Sequence, residues 1–194
     1  PMDYSTWTRN WNQKDLDEIL NRSMDTRFKR LTLRLDSQPF RLGGQHRLSF
    51  KAFGSQRNFE TLSQDDYYFS GRVVRTSSTI QHPVKTTNYG FSLADQIQWN
   101  NTFSGRFGIR YDHTKMKPQQ LNAECTACDK TVPAPSTYSG WSGFAGLGAQ
   151  LNQTWRVGYD FTSGYRVPSA SEVYFTFNHG AGTWLPNHQL KAER

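Results

Sequence analysis

The sequence predicts an all-β chain of antiparallel strands, and three observations carry that prediction. Apolar and polar residues alternate with a period of two in six separate stretches. No long stretch keeps the 3.6-residue period of an amphipathic helix. Short and long connections alternate strictly, so all the long ones fall at the same end of an antiparallel sheet.

Taken in order, residues 1–27 are polar, with Trp7 and Trp11, and hold one short helical candidate at Leu16, Ile19 and Leu20. In strand 28–36, Leu31, Leu33 and Leu35 alternate with Thr32 and Arg34. A polar turn around Gly43-Gly44 leads to strand 46–56, where Leu48, Phe50 and Ala52 alternate with Ser49 and Lys51. Residues 57–84 read as a long connection exposing Tyr67, Tyr68 and Phe69, a cluster suited to protein contact. Strand 85–98 places Tyr89, Phe91, Leu93, Ile97 and Trp99 on one parity, and Asn100-Asn101-Thr102 turns it into strand 103–115, with Phe107, Ile109 and Tyr111 opposite Arg106, Arg110 and Asp112. After a long connection, strand 138–150 carries Trp141, Ala145, Leu147 and Ala149, and Asn152-Gln153 turns it into strand 154–163 with Trp155, Val157, Tyr159 and Phe161. A third long segment begins at residue 164.

The chain has 194 residues, 14% of them aromatic, and a net charge of +7. No run approaches the ~18 apolar residues of a membrane-spanning helix, which excludes a helical membrane protein, and the aromatic content argues against bulk disorder. The basic residues are scattered, which disfavours a nucleic-acid surface. Long loops gathered at one end, aromatics at the strand ends (Trp99, Phe103, Tyr111, Tyr138, Trp141, Trp155) and Arg, Lys and Gln on one face fit a transmembrane β-barrel, whose lumen is wet and whose outer face meets lipid. Six strands fall short of the eight of the smallest barrels. The whole of 1–194 therefore reads as a partial barrel domain cut from a larger barrel. The alternative of another class is a soluble secreted β-sandwich adhesin or lectin.

Cys125 and Cys128 stand in Glu124-Cys-Thr-Ala-Cys-Asp129, followed by Pro133 and Pro135. A single C-x-x-C fits half a zinc site, a redox pair or a loop disulfide. The prolines make the segment a loop, and the reading favours a disulfide formed in an oxidising compartment. No nucleophile-elbow, zinc-protease, phosphate-loop or dinucleotide motif is present, so the chain is not read as an enzyme.

The last thirty residues carry a resemblance. Gly164-Tyr165-Arg166-Val167-Pro168-Ser169-Ala170-Ser171-Glu172-Val173-Tyr174 resembles the FRAP box of TonB-dependent outer-membrane haem receptors, with Tyr165 and Val167 where Phe and Ala are usual. Leu185-Pro186-Asn187-His188-Gln189-Leu190-Lys191-Ala192-Glu193 resembles their NPNL box, with His188 and Gln189 where Pro and Asn are usual. The chain as a whole is similar to the mid-barrel portion of such receptors, those of haemoglobin–haptoglobin utilisation (Hpu) systems in particular. The resemblance implies a bacterial outer-membrane location, haem as transported ligand, and haemoglobin or haemoglobin–haptoglobin as carrier. It also implies a barrel of about 22 strands, no plug domain or terminal strand within 1–194, energy from TonB through parts lying elsewhere, and a lipoprotein co-receptor. A TonB-dependent siderophore or transferrin-type receptor is the alternative on the same barrel.

Haem iron accepts an axial His or Tyr, its propionates favour Arg or Lys, and its faces favour aromatic contact. By that chemistry the candidate haem-binding or relay residues are His179, Tyr174, His188 and Arg166, with Lys191 as a second cation. The resemblance gives the relay to His179, the histidine between the boxes; no metal other than haem iron at His179 is expected. His46, His82 and His113 read as structural or solvated.

Overall fold

The computed structural model describes residues 3–10, 16–69, 72–120, 131–175, 177–179 and 182–194, with side chains described for 25–60, 82–120, 131–175 and 185–194. Cys125 and Cys128 lie outside the described residues. The strands are β1 (Asp3–Asn10), β2 (Leu16–Asp36), β3 (Phe40–Arg41), β4 (Gln45–Phe69), β5 (Arg72–Gln98), β6 (Phe103–Pro118), β7 (Ser136–Gln150) and β8 (Arg156–Ser163). They form one eight-stranded sheet in the order β1-β2-β4-β5-β6-β7-β8, with β3 paired to β4. Every pairing is antiparallel. The helix α1 (Ala170–Tyr174) and a separate hairpin of β9 (Phe177–His179) and β10 (Gly182–Trp184) follow. Among the described residues the sheet does not close on itself.

The six expected strands are all present, and two expectations need correction. The short helical candidate at Leu16, Ile19 and Leu20 is the start of β2, laddered to β4 from Leu16↔Phe69 onward and to β1 on its other side. A few apolar residues at helical spacing cannot outweigh a continuous ladder of backbone hydrogen bonds. The expected connection over 57–84 is strand: β4 runs to Phe69 and β5 starts at Arg72, paired Phe69↔Arg72. Tyr67, Tyr68 and Phe69 therefore sit on a strand and not in a loop.

The ladder fixes which face each residue occupies. Cross-strand rows read Leu33–Ala52–Phe91–Tyr111–Trp141 and Leu35–Phe50–Leu93–Ile109–Gly143 on one face. Tyr159 and Phe161 join that face through Leu147 and Ala145. On the other face lie Arg34–Lys51–Ser92–Arg110–Ser142 and Arg47–Gln96–Arg106–Gly146–Asp160. The apolar face is uncovered: Leu31 is 79% exposed, Leu147 55% and Tyr159 72%. A soluble sandwich buries such a face against a second sheet; a barrel wall turns it to lipid. Tyr89, Tyr111 and Trp141 border it toward the long connections, and Trp99, Phe103 and Trp155 toward the short turns. Tyr138, expected among these border aromatics, belongs to the inner face and is buried there.

The inner face is polar and paired. Arg106 reaches Asp160 (2.9 Å), Arg110 grips Asp112 through two hydrogen bonds (2.6 and 2.8 Å), and the Arg110 guanidinium lies 4.7 Å from the centre of the Phe53 ring.

Two of the short turns repeat one design. Asn100 Oδ1 accepts from the backbone N–H of Thr102 and Phe103, while Gln98 Nε2 donates to the carbonyl oxygens of Asn100 and Phe103. In the next hairpin Asn152 Oδ1 accepts from Thr154 and Trp155, and Gln150 Nε2 donates to Asn152 and Trp155. Asn closes such turns because its side chain bonds to backbone two residues on. The β2–β4 turn is made differently, with Gly43 at φ +67°, a conformation that favours glycine.

Candidate functional site

Residues 164–175 and 185–194 fold back onto the inner face. Ser169 caps α1: its hydroxyl accepts from the Glu172 N–H, and the Glu172 carboxylate accepts from the Ser169 N–H at 2.6 Å. This reciprocal box satisfies two backbone donors that a helix start leaves open. Val173 and Tyr174 are then delivered into a cluster with Val84 of β5, Met116 of β6 and Tyr138 of β7, flanked by Val167, Ala170, Leu190 and Ala192. Val173 is 0% exposed.

Arg166 ties the two boxes together. Its backbone exchanges hydrogen bonds with Glu193 (3.1 and 2.9 Å), and its guanidinium meets Glu193 with Nε at 2.8 Å and Nη2 at 2.6 Å. Nη1 reaches both carboxylate oxygens of Glu172 at 3.1 Å. Bidentate arginine–carboxylate pairs of this kind fix geometry as well as charge. One cation between two carboxylates leaves the cluster net negative, so Arg166 serves as an anchor and a propionate would be repelled there. Lys191, on the NPNL-like box, is exposed.

The Arg166 guanidinium is held well above its usual range by Glu193 and Glu172. The Glu172 carboxyl is lowered by the Ser169 hydrogen bonds and Arg166, and the Glu193 carboxyl by Arg166. Carboxyls lowered in the folded state stabilise it above their unfolded value, and that stabilisation is lost as pH falls through the folded value. The clamp is therefore expected to hold at neutral pH and to loosen below 4.5, the ordinary glutamate value. Amide hydrogen exchange over 166–175 and 187–193, labelled below that value and at neutral pH and corrected for the intrinsic pH dependence of exchange, checks this; equal protection at both would count against it.

The remaining candidates divide by position. Tyr174 is buried, its hydroxyl donating to the Ala134 carbonyl oxygen (3.1 Å) and sharing a hydrogen bond with Ser136 Oγ (2.9 Å). Burial pushes its phenol up, with the Ser136 contact opposing. Its geometry is that of a wall anchor, whereas an iron-ligating phenol must shed its proton. His188 is exposed, its ring 5.4 Å from that of Tyr174. Tyr165 lies across Gly140 of β7, where any side chain would collide with its ring. Val167 packs on the buried cluster, Pro168 is buried just before α1, Asn187 Oδ1 accepts from the Gln189 N–H, and Leu190 packs beneath. His179 ends β9, paired with Gly182 across the hairpin turn, so its backbone stands at the tip of the excursion between the boxes; its side chain is outside the described residues.

The other histidines are engaged elsewhere. His46 lies between Asp95 Oδ2 (2.7 Å) and the Leu42 carbonyl oxygen (2.8 Å), His82 is 3.2 Å from the Gln119 carbonyl oxygen, and His113 is 2.8 Å from Ser139 Oγ and stacked on Tyr89. The Glu193 partner of Arg166 went unrecognised in the sequence, although the acidic residue trailing the second box was its signal.

Comparison with known proteins agrees with this arrangement. The "Probable hemoglobin and hemoglobin-haptoglobin-binding protein 4" of Haemophilus influenzae is 28% identical over 149 residues, covering 57% of this chain and 15% of its own length. The "Hemoglobin and hemoglobin-haptoglobin-binding protein" of Haemophilus ducreyi is 24% identical over 175 residues, 71% of this chain and 17% of its own length. The "Hemoglobin and hemoglobin-haptoglobin-binding protein A" of Haemophilus influenzae is 22% identical over 148 residues, 57% of this chain and 14% of its own length. The chain thus spans about a sixth of the curated relatives it matches. The family model described as "TonB dependent receptor-like, beta-barrel" matches residues 2–194. With an antiparallel wall, an uncovered apolar face on one side and the two boxes clamped to the other, the chain belongs to the TonB-dependent receptor β-barrel family of the bacterial outer membrane.

Proposed function

We propose that the protein to which this chain belongs takes haem from haemoglobin or haemoglobin–haptoglobin and passes it inward through the barrel, with TonB supplying energy and a lipoprotein co-receptor assisting at the surface. The observation that carries the reading is the clamp: Arg166, Glu172 and Glu193 hold both boxes against β5–β7, and the β9–β10 hairpin, with His179 at the end of its first strand, joins the two anchored boxes along the chain. A histidine on a short segment between two fixed boxes suits a group that must compete for iron held by another protein. Exposed Lys191 lies on the same base and suits a propionate, while Phe177 and Trp184 are backbone partners across the hairpin. Haem is cargo here and not a resident group.

In the full receptor, His179→Ala should lower growth on haemoglobin as sole iron source by an amount on the order of tenfold, the scale on which lost metal-site contacts act. Carrier binding should stay unchanged, and His188→Ala should do less because its ring rests on Tyr174. Normal growth of His179→Ala beside failure of His113→Ala would remove the assignment. A receptor that binds a ferric siderophore and no haem would favour the siderophore alternative.

A further inference from the structure

The inner face of β2 and β4 interleaves aromatic rings with guanidinium groups. Its rows read Phe28–Arg57–Thr86–Met116–Ser136, then Arg30–Ser55–Asn88–Thr114–Tyr138, then Thr32–Phe53–Gly90–Asp112–Gly140. Met116 and Tyr138, at the β6–β7 end of these rows, belong to the seat of α1. Phe28, Arg30, Phe53 and Arg57 stand at the β2–β4 end, level with that seat. Arg57 and Met116 are two strands apart, roughly 10 Å. Phe28 is 57% exposed, Arg30 and Arg57 are exposed and Phe53 is half-buried, so among the described residues this strip beside the anchored boxes is open.

The rings hold the guanidinium groups in place. Arg30 lies over the Phe53 ring, 5.5 Å from its centre, Arg110 over the same ring at 4.7 Å, and Arg57 over the Phe59 ring at 5.4 Å. Gly90 gives the Phe53 ring room on the wall, since a Cβ there would stand 2.8 Å from it. Stacking on a ring orients a guanidinium and leaves its N–H edge open. Arg110 turns that edge to Asp112, and Arg34 turns its own to Asp36. Among the described residues no carboxylate pairs with Arg30 or Arg57. Arg57 and Phe53 are four residues apart on β4, about 13 Å of strand. Two open guanidinium edges beside aromatic surface on that scale suit a flat molecule with an apolar face and two carboxylates.

We propose that Phe28, Arg30, Phe53 and Arg57 form a resting site for the porphyrin inside the barrel, the rings meeting its face and the two arginines its propionates. The proposal rests on the reading that haem is the cargo, and it adds the side of the lumen that the cargo follows after the His179 hairpin. The acidic cluster around Arg166 repels carboxylates, and the strip on β2 and β4 offers cations at the same height.

Iron-free protoporphyrin IX separates this site from any iron ligand, because no histidine can hold it through a metal. The full receptor in detergent is titrated with protoporphyrin IX or with its dimethyl ester, and binding is read from porphyrin fluorescence anisotropy. The wild type should bind the diacid about tenfold more tightly than the ester, and R30Q/R57Q should lose that preference. F28A should weaken both ligands by about threefold. His179→Ala and the outer-face control K29Q should match the wild type. R30Q alone should fall between, and it carries the test where the double variant does not give a heat-modifiable barrel. No preference in the wild type, an unchanged preference in R30Q/R57Q, or loss of porphyrin binding in His179→Ala would overturn the proposal. A wild type that binds the diacid in this way yet grows on no haem source would remove the transport reading and leave the site standing.

Discussion

Val173→Asp in the full receptor is expected to strip the segment after β8 from the barrel wall while leaving the barrel assembled. Val173 is fully enclosed by Val84, Met116, Tyr138 and Tyr174, and none of these offers a cation. An unpaired carboxylate placed there costs about 3–5 kcal/mol, the range seen when a buried charge loses its partner. A five-residue helix has little internal stability to set against that, so α1 leaves the wall. The expected result is rapid trypsin cleavage after Arg166 and Lys191 in a barrel that still shifts on heating in gel electrophoresis. Val173→Ala removes two methyl groups, about 1.6 kcal/mol at ~0.8 per buried carbon, and should open the segment only partly. Equal protease resistance of all three proteins would place the anchor elsewhere.

Leu147→Arg should impair assembly of the barrel itself, and Gln150→Arg should not. Leu147 lies on the lipid-side face between Gly105 and Tyr159, and Gln150 lies on the inner face opposite Arg156. An arginine facing lipid costs roughly 2–4 kcal/mol at the midplane and less toward either border. Leu147 sits one pleat nearer the turns than Ala145, which puts it in the lower half of that range. Heat-modifiable barrel recovered from outer membranes gives the measure; equal yields for the two variants would reverse the assignment of faces.

The strands were legible where one face meets lipid and the other meets water, because only that contrast writes an alternating pattern. Phe91, Leu93, Ile109 and Leu147 are examples. Beyond Phe59 in β4 and before Val84 in β5 the sequence keeps no such alternation, and Arg72–Ile80 reads as a loop although its Val, Thr and Ser suit a strand. The β1–β2 ladder was hidden for the same reason. At the site, the two boxes were legible as motifs and Arg166 and Glu172 as a charged pair six residues apart, but the bond from Arg166 to Glu193 that joins the boxes was not. That Tyr174 turns toward Ser136 and Ala134 depends on contacts some 40 residues away in sequence, which no local pattern encodes.

The twice-used Gln–Asn turn has a consequence for how such a wall can change. Both hairpins are ruled from their short-turn edge, where Asn100 and Asn152 set the count from which each cross-strand pairing follows. Among the described residues nothing comparable rules the opposite edge, where β4 and β5 run 25 and 27 residues while β8 stops after 8. Irregularity there stays local: the register shifts between Phe59 and Leu62, yet every pairing from Phe59↔Val84 down to Gln45↔Gln98 remains in step. Material added above the membrane therefore leaves the embedded lattice undisturbed, whatever its parity. The barrel is a chassis with one graduated edge, and its receptor surface can be exchanged without recalibrating the part that must fit the bilayer.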